Sequence, residues 1–264
     1  MITSAEIQNF IEKIPPAPTI IKESIKLIDE GELQKASQVA KKDLALTHYL
    51  QVLVNKPIFG FANEVQDISQ IFGILGLASS KQAIYNYLLT LLSPDSWEMF
   101  KLNEPLFHEL QAQLSKRWQS ILKHLNIDNK EIESAVVMMP ASIIVCEALF
   151  KSHKKDVELL RTYKDIDLST ILYKLADKSV FGISQDIAKT WEMSETIQEL
   201  ISLSSGAKES EDETLNKLGK WLHLLLFYEF SQPSFIEAGL NDFINFNPEY
   251  VEDISDEFME LIYQ

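Results

Sequence analysis

The sequence contains a single cysteine, Cys146, and only 8 glycines in 264 residues. One cysteine cannot form an internal disulfide, which agrees with a reducing compartment. No stretch reaches eighteen uninterrupted apolar residues, and the first residues lack the basic-then-apolar order of a secretory signal. We therefore expect a cytoplasmic protein that does not insert into a membrane.

Basic side chains are also scarce. The chain has 24 Lys and Arg against 39 Asp and Glu, for a net charge of −15. Residues 206–264 alone carry 13 acidic and 3 basic side chains. Binding to nucleic acid normally depends on basic patches that neutralise phosphates, so this surface excludes nucleic acid as a general partner.

The common catalytic arrangements are missing. The sequence has no glycine-rich phosphate loop, no Gly-x-Ser-x-Gly elbow and no Cys-x-x-Cys pair. Cys146 follows Ile143, Ile144 and Val145, an apolar setting that makes a thiol inert. None of the five histidines, His48, His108, His124, His153 and His223, precedes an aspartate. His108-Glu109 is the nearest imitation of such a dipeptide, but it lacks a second histidine four residues on. We predict no catalytic residue, no metal ligand and no cofactor.

The residues that are abundant indicate an all-α protein. Apolar residues make up 46% of the chain, enough for a real core. Leucine, isoleucine, lysine and glutamate recur at helical spacing, and alternating β-branched runs are few. Pro105 opens a helical pattern of about twenty residues, and Pro248 starts another. The apolar segment 131–150 should form a helix buried on most sides, which Pro140 bends or splits.

Helix ends cluster in residues 14–76. Pro15, Pro16 and Pro18 prevent a helix and keep the chain extended until a helix begins near Thr19. Asp43 can cap the next helix, and Gly31 and Gly76 can each close a helix in the left-handed conformation. A further helix is expected to start at Ser79 or Ser80.

The order and spacing of these features resemble the start of the HDOD domain. This bacterial signalling family is related to the metal-dependent phosphohydrolases of the HD superfamily. Trp191-Glu192-Met193-Ser194 is also similar to the Trp-x-Leu-Pro helix end of such domains. The chain departs from the family at Leu44, where proline is usual, and at Lys56, where serine is usual. The residues that carry the resemblance are Pro15, Pro16, Pro18, Asp43, Leu46, Asn55, Phe59, Gly60, Leu75, Gly76 and Trp191.

The resemblance implies a single HDOD domain over residues 1–264. It would consist of a small N-terminal helical bundle, about 1–93, and a larger degenerate HD-like bundle, about 94–264. HD hydrolases hold divalent metal with histidines and a His-Asp dipeptide. The equivalent segment Val136–Ser142 contains no ligand. Related hydrolases also place ligand histidines near 181–184 and 202–206, and these segments contain none.

The function that the resemblance implies is a non-catalytic regulatory or scaffolding module in bacterial signal transduction. It would bind a protein partner or a small ligand, and Phe59 and Phe61 are candidates for an exposed interaction surface. Two alternatives stay open. One is a phosphohydrolase that acts on nucleotides or cyclic dinucleotides through a rearranged metal site. The other is a sensor that binds a nucleotide-like ligand in the vacated HD pocket, lined by Met138, Met139 and Trp191.

Overall fold

The structure is a computed structural model that describes residues 18–55 and 63–263. These residues form helices and contain no strand, which confirms the predicted all-α fold. The described residues divide between Leu91 and Leu92 into two compact units. Among the residues that carry the family resemblance, Pro15, Pro16, Phe59 and Gly60 lie outside the described residues, and so does Phe61.

The first unit begins with an extended Pro18 (φ −49°, ψ 146°), after which a helix starts at Thr19 as predicted. Gly31, with φ +79°, closes this helix in the left-handed conformation. The amide of Gly31 donates to the Ile28 carbonyl at 3.0 Å, so a helix-end carbonyl is satisfied. The described residues of this unit form the helices α1 (Thr19–Asp29), α2 (Leu33–Ala40), α3 (Leu44–Val54) and α4 (Ile68–Leu92), of which Leu92 is already the first residue of the second unit.

Asp43 and Asn55 fix the two ends of α3. The Asp43 carboxylate accepts the amides of Ala45 and Leu46, each at 3.0 Å, and Leu46 is fully buried. At the other end, the Asn55 side chain accepts the Val65 amide at 2.8 Å and donates to the Val65 carbonyl at 3.0 Å. Asn55 therefore ties the end of α3 to the chain that leads into α4.

Gly76 interrupts α4 directly after Leu75. Its φ of +72° with ψ of −177° is a conformation open only to glycine, so the helix breaks there as the sequence indicated. The expected helix start at Ser79 or Ser80 is wrong, because both residues lie inside the helix that follows Gly76. One glycine is enough to separate the two helical segments.

The second unit contains eleven α-helices among its described residues. One of them, Met138–Ser152, is buried on most sides. Their bounds are α5 (Glu104–His124), α6 (Lys130–Glu133), α7 (Met138–Ser152), α8 (Lys154–Lys164), α9 (Leu168–Ala176), α10 (Val180–Thr190), α11 (Glu195–Leu203), α12 (Glu213–Phe230), α13 (Pro233–Glu237), α14 (Pro248–Val251) and α15 (Ser255–Ile262).

The central helix α7 is split from α6 by a 3₁₀ turn at Ser134–Val137. The prediction that Pro140 causes the break is wrong in position. Pro140 lies in the first turn of α7, where a missing backbone N–H costs nothing. Glu131–Ser152 is the one segment of the described residues long and apolar enough to cross a membrane, but 89% of it is buried inside the protein. A core helix explains its composition.

A buried carboxylate of α7 holds a neighbouring segment of the second unit in place. The carboxylate of Glu147, which is 1% exposed, accepts the amides of Glu98 at 2.6 Å, Met99 at 3.0 Å and Phe100 at 2.9 Å. It anchors the segment that leads into α5.

Burial raises the pKa of the Cys146 thiol well above its usual value, so this cysteine is an inert core residue.

Candidate functional site

A cavity of about 870 Å³ opens in the second unit where α9 turns into α10. Two other cavities of the described residues measure about 300 and 410 Å³. The larger volume is in the range of small-molecule sites. Its walls come from residues in 169–182, 205–207 and 243–249, so three separate connections between helices meet at one place.

The turn between α9 and α10 is set by three neighbouring residues. Asp177 ends α9 in the left-handed conformation with φ +51°. Ser179 is extended, and its hydroxyl accepts the Gly182 amide at 3.3 Å, which caps α10. Lys178 lies between them, and its ammonium group pairs with the Asp186 carboxylate in the second turn of α10. The first turn of α10 therefore forms part of the cavity wall.

Asp167 organises the start of α9 at the edge of the cavity. Its carboxylate accepts the Thr170 amide at 2.6 Å, the Thr170 hydroxyl at 2.9 Å and the Ser169 hydroxyl at 2.6 Å. Burial raises the pKa of Asp167, but these hydrogen bonds outweigh burial and leave the pKa below its ordinary value. Asp167 thus stays ionised and holds the two hydroxyl groups that line the cavity.

His223 of α12 supports the cavity from behind and is fully buried. Its Nδ1 lies 2.9 Å from the Ser204 carbonyl and must donate to it, while Nε2 accepts the Asn247 amide at 3.1 Å. The ring is sandwiched between Phe181 and Phe246, with centroids 5.9 and 5.6 Å away and interplanar angles of 18°. Both flanking rings line the cavity.

Burial lowers the pKa of His223, although the Ser204 carbonyl opposes this shift. The imidazole is therefore neutral, and each ring nitrogen already has a partner. His223 has no nitrogen left for a metal ion or for proton transfer. Its role in the structure is to hold the loop of Asn247 and the two phenylalanine rings in place.

The segments 181–184 and 202–206, at which the resemblance implied ligand histidines in related hydrolases, both contribute residues to this cavity. Phe181 and Gly182 come from the first segment, and Ser205 and Gly206 from the second. Across the described ranges 18–55 and 63–263, no group of three or more His, Cys, Asp or Glu could hold a metal ion. The geometry offers a pocket with aromatic, hydroxyl and amide walls.

Comparison with known sequences identifies the family of this chain. The family model described as "HDOD domain" matches residues 14–206, which is well over half of the chain. The chain belongs to the HDOD family. No curated protein matches it.

Solved structures share the fold of this HDOD protein. An HDOD domain protein with unknown function from Geobacter sulfurreducens has a TM-score of 0.65 at 14% identity, covering 98% of this chain and 94% of that chain. A putative phosphohydrolase from Shewanella amazonensis SB2B has a TM-score of 0.59 at 13% identity, covering 97% and 96%. A putative metal-dependent phosphohydrolase from the same organism has a TM-score of 0.53 at 12% identity, covering 98% and 96%. At such identities the likeness concerns the fold alone.

The residues predicted to line a vacated pocket are buried and do not line these three cavities. Met138, Met139 and Trp191 are 0%, 1% and 5% exposed and line none of the three cavities. The Ser184 hydroxyl donates to the Met139 sulfur at 3.2 Å, so this side chain is packed between α7 and α10. Long apolar side chains on a helix buried all round fill the core, and the cavity forms at helix ends instead.

Sequence reasoning missed most of the cavity, although signals for it were present. Asp177, Ser179, Gly206 and Pro248 are helix-ending or helix-starting residues, and all four line the cavity. Phe59 and Phe61, the candidates for an interaction surface, lie outside the described residues. On the described helix α3, Leu44 is 82% exposed and Val52 is 53% exposed.

Proposed function

We propose that this HDOD protein is a non-catalytic regulatory module in bacterial signal transduction that acts by binding. The supporting observation is the composition of the cavity wall in the segments 181–184 and 202–206, at which the resemblance implies ligand histidines in related hydrolases. Phe181, Gly182, Ser205 and Gly206 stand there. Phenylalanine and glycine side chains offer no ligand atom, and a catalytic zinc site uses three protein ligands.

The carboxylates that remain in the cavity do not replace such a site. Asp177 and Glu249 line it, and both are exposed. The nearest histidine, His223, uses both of its nitrogens in hydrogen bonds to backbone groups. A pocket with two exposed carboxylates and no available imidazole is suited to holding a polar ligand rather than to activating water.

Metal content and turnover test this proposal. Protein purified without chelator should contain well under one equivalent of Fe, Mn, Mg or Zn. With added Mn²⁺ or Fe²⁺ it should not hydrolyse bis(p-nitrophenyl) phosphate, nucleotides or cyclic dinucleotides. Near-stoichiometric metal with turnover would make the protein a phosphohydrolase with a rearranged site. In that case Asp177→Asn with Glu249→Gln should abolish turnover, whereas the exposed control Glu195→Gln should not.

A protein partner is the other means by which such a module could act. Capture of the tagged protein from its native cells, with mild cross-linking, should recover a near-stoichiometric partner. A folded Phe59→Ala, Phe61→Ala variant should lose this partner if those rings form the interaction surface. Recovery that is equal for both proteins would remove Phe59 and Phe61 from the proposal.

A further inference from the structure

The residues that line the cavity of about 870 Å³ divide into two sets by exposure. Val180 and Phe181 are each 3% exposed and give the cavity an apolar wall. Lys174, Asp177 and Glu249 line the same cavity and are exposed. A ligand that matches both sets has an apolar body and a charged group.

The charges that are open to a ligand decide the sign of that group. Lys178 is already paired with Asp186. The side chains of Lys174, Asp177 and Glu249 form no hydrogen bond or ion pair with another described residue. Two carboxylates and one ammonium therefore remain, in a chain of net charge −15. This excess of negative charge attracts a cation and opposes an anion.

An exposed aromatic ring lies in the same wall. Tyr173 of α9 lines the cavity and is 60% exposed. The Asp177 amide donates to the Tyr173 carbonyl at 2.8 Å, so the backbone holds this ring near one of the two open carboxylates. The ring of Phe246 is less open, because it already stacks on Phe227 at 3.9 Å. The face of an aromatic ring attracts an ammonium group and thus acts in the same direction as the carboxylates.

From these contacts we infer that the cavity binds a primary amine with an apolar body, its ammonium held by the carboxylates of Asp177 and Glu249 and by the ring of Tyr173. The three N–H donors of an ammonium match acceptors of this kind. Two carboxylates beside Lys174 leave one unit of negative charge, which one ammonium neutralises. The inference rests on the proposed function, since it names the ligand class of the same site.

Calorimetric titration of the full chain at neutral pH tests the inference. The probes are phenethylamine, tryptamine and hexylamine, each compared with the alcohol and the carboxylate that share its apolar body. At least one amine should bind saturably. Its alcohol should bind about tenfold more weakly, the ratio expected for one charge-assisted hydrogen bond, and its carboxylate should bind more weakly still. Methylamine, which has the charge without the body, should also bind more weakly.

Substitutions at the charged residues should change amine binding in opposite directions. Glu249→Gln and Asp177→Asn should each weaken it about tenfold and leave alcohol binding unchanged. Lys174→Gln removes the opposing charge and should strengthen amine binding about threefold. Glu195→Gln and Lys189→Gln are the matched controls, because both residues are exposed and lie outside this cavity. The left-handed conformation of residue 177 also suits asparagine, so this variant should fold.

Equal affinity for an amine and its alcohol, or amine binding that Lys174→Gln leaves unchanged or weakens, would overturn the assignment of the charge. Preferential binding of the carboxylates, or no binding of any amine, would overturn the ligand class while the non-catalytic function stands. Metal-dependent turnover of phosphate esters would overturn the non-catalytic function without changing amine binding. The two proposals therefore fail in different experiments.

Discussion

At the scale of single residues, the second unit should tolerate substitutions poorly at the glycines that lie against Tyr250. Tyr250 donates through its hydroxyl to the Leu203 carbonyl at 2.9 Å and is therefore fixed in place. Gly219 of α12 and Gly206 of the cavity wall both lie against its side chain. Close approach explains the glycine at position 219, whereas Gly206 also has φ +69°, a left-handed conformation that favours glycine.

Gly219→Ala should destabilise the protein by about 1–3 kcal/mol, the usual cost of overpacking. A Cβ atom at this position would lie 2.8 Å from the Tyr250 hydroxyl and 2.9 Å from the Leu203 Cβ atom. Gly73→Ala is the matched control, since a Cβ there would meet nothing within 4 Å and alanine favours a helix. Urea unfolding should show a lower midpoint for the first variant and an unchanged or higher midpoint for the second. Equal midpoints would contradict the packing argument.

At the scale of elements, helix ends determine much of this fold. The start of α3 depends on Asp43, which accepts two amides of the first turn. Asp43 also acts on a neighbouring helix. Burial raises the pKa of Tyr87 in α4, and the charge and hydrogen bond of Asp43 raise it further. A single side chain thus caps one helix and contacts another within the first unit.

Asp43→Ala should lower the stability of the first unit by about 1 kcal/mol, because two amides of α3 lose their acceptor. Asp43→Asn should retain most of the stability, since its side-chain oxygen can accept the same hydrogen bonds. Hydrogen exchange of the α3 amides, compared between the two variants, measures the effect. Equal exchange in the asparagine and alanine variants, faster in both than in the wild-type protein, would show that charge, and not capping, matters here.

At the scale of the whole molecule, two buried ionisable groups act on the pH dependence of unfolding in opposite directions. Glu229 of α12 is fully buried and lies 2.8 Å from Nε of Arg117. Burial raises the pKa of Glu229 to about 7, although Arg117 opposes the shift. The folded protein therefore holds a proton on Glu229 that the unfolded chain releases at an ordinary carboxyl pKa.

A raised folded pKa contributes stability that is present below pH 4.5 and is lost as pH rises through about 7. The free energy of unfolding of the wild-type protein, relative to that of a Glu229→Gln variant, should thus fall by up to about 3 kcal/mol between pH 4.5 and 8. His223 has a lowered pKa, so relative to His223→Gln the wild-type protein should lose stability as pH falls below 6.5. Urea unfolding at half-unit pH intervals gives both difference curves. A Glu229 difference curve that is flat across this range would contradict the assignment.

Local chemistry made the helices and their ends predictable. Proline before Thr19, aspartate at position 43 and glycine at 31 and 76 act on the backbone within one turn, so their effects follow from the sequence. The start of α5 at Glu104, beside Pro105, follows for the same reason. The predicted position of the helix break before α7 was wrong. The break lies at the buried 3₁₀ turn Ser134–Val137 and not at Pro140.

The candidate site could not be predicted in the same way. Met138, Met139 and Trp191 looked suitable for a pocket by composition, but composition does not say whether an apolar side chain faces a cavity or the core. The cavity depends on connections that are far apart in sequence, at 177–182, 205–207 and 243–249. The sequence alone determined the all-α fold, the acidic charge and the helix ends at Thr19, Gly31, Asp43 and Gly76, because these depend on neighbouring residues and on composition. Only the tertiary structure decided where the cavity lies and which groups share it, because long-range packing brings those connections together.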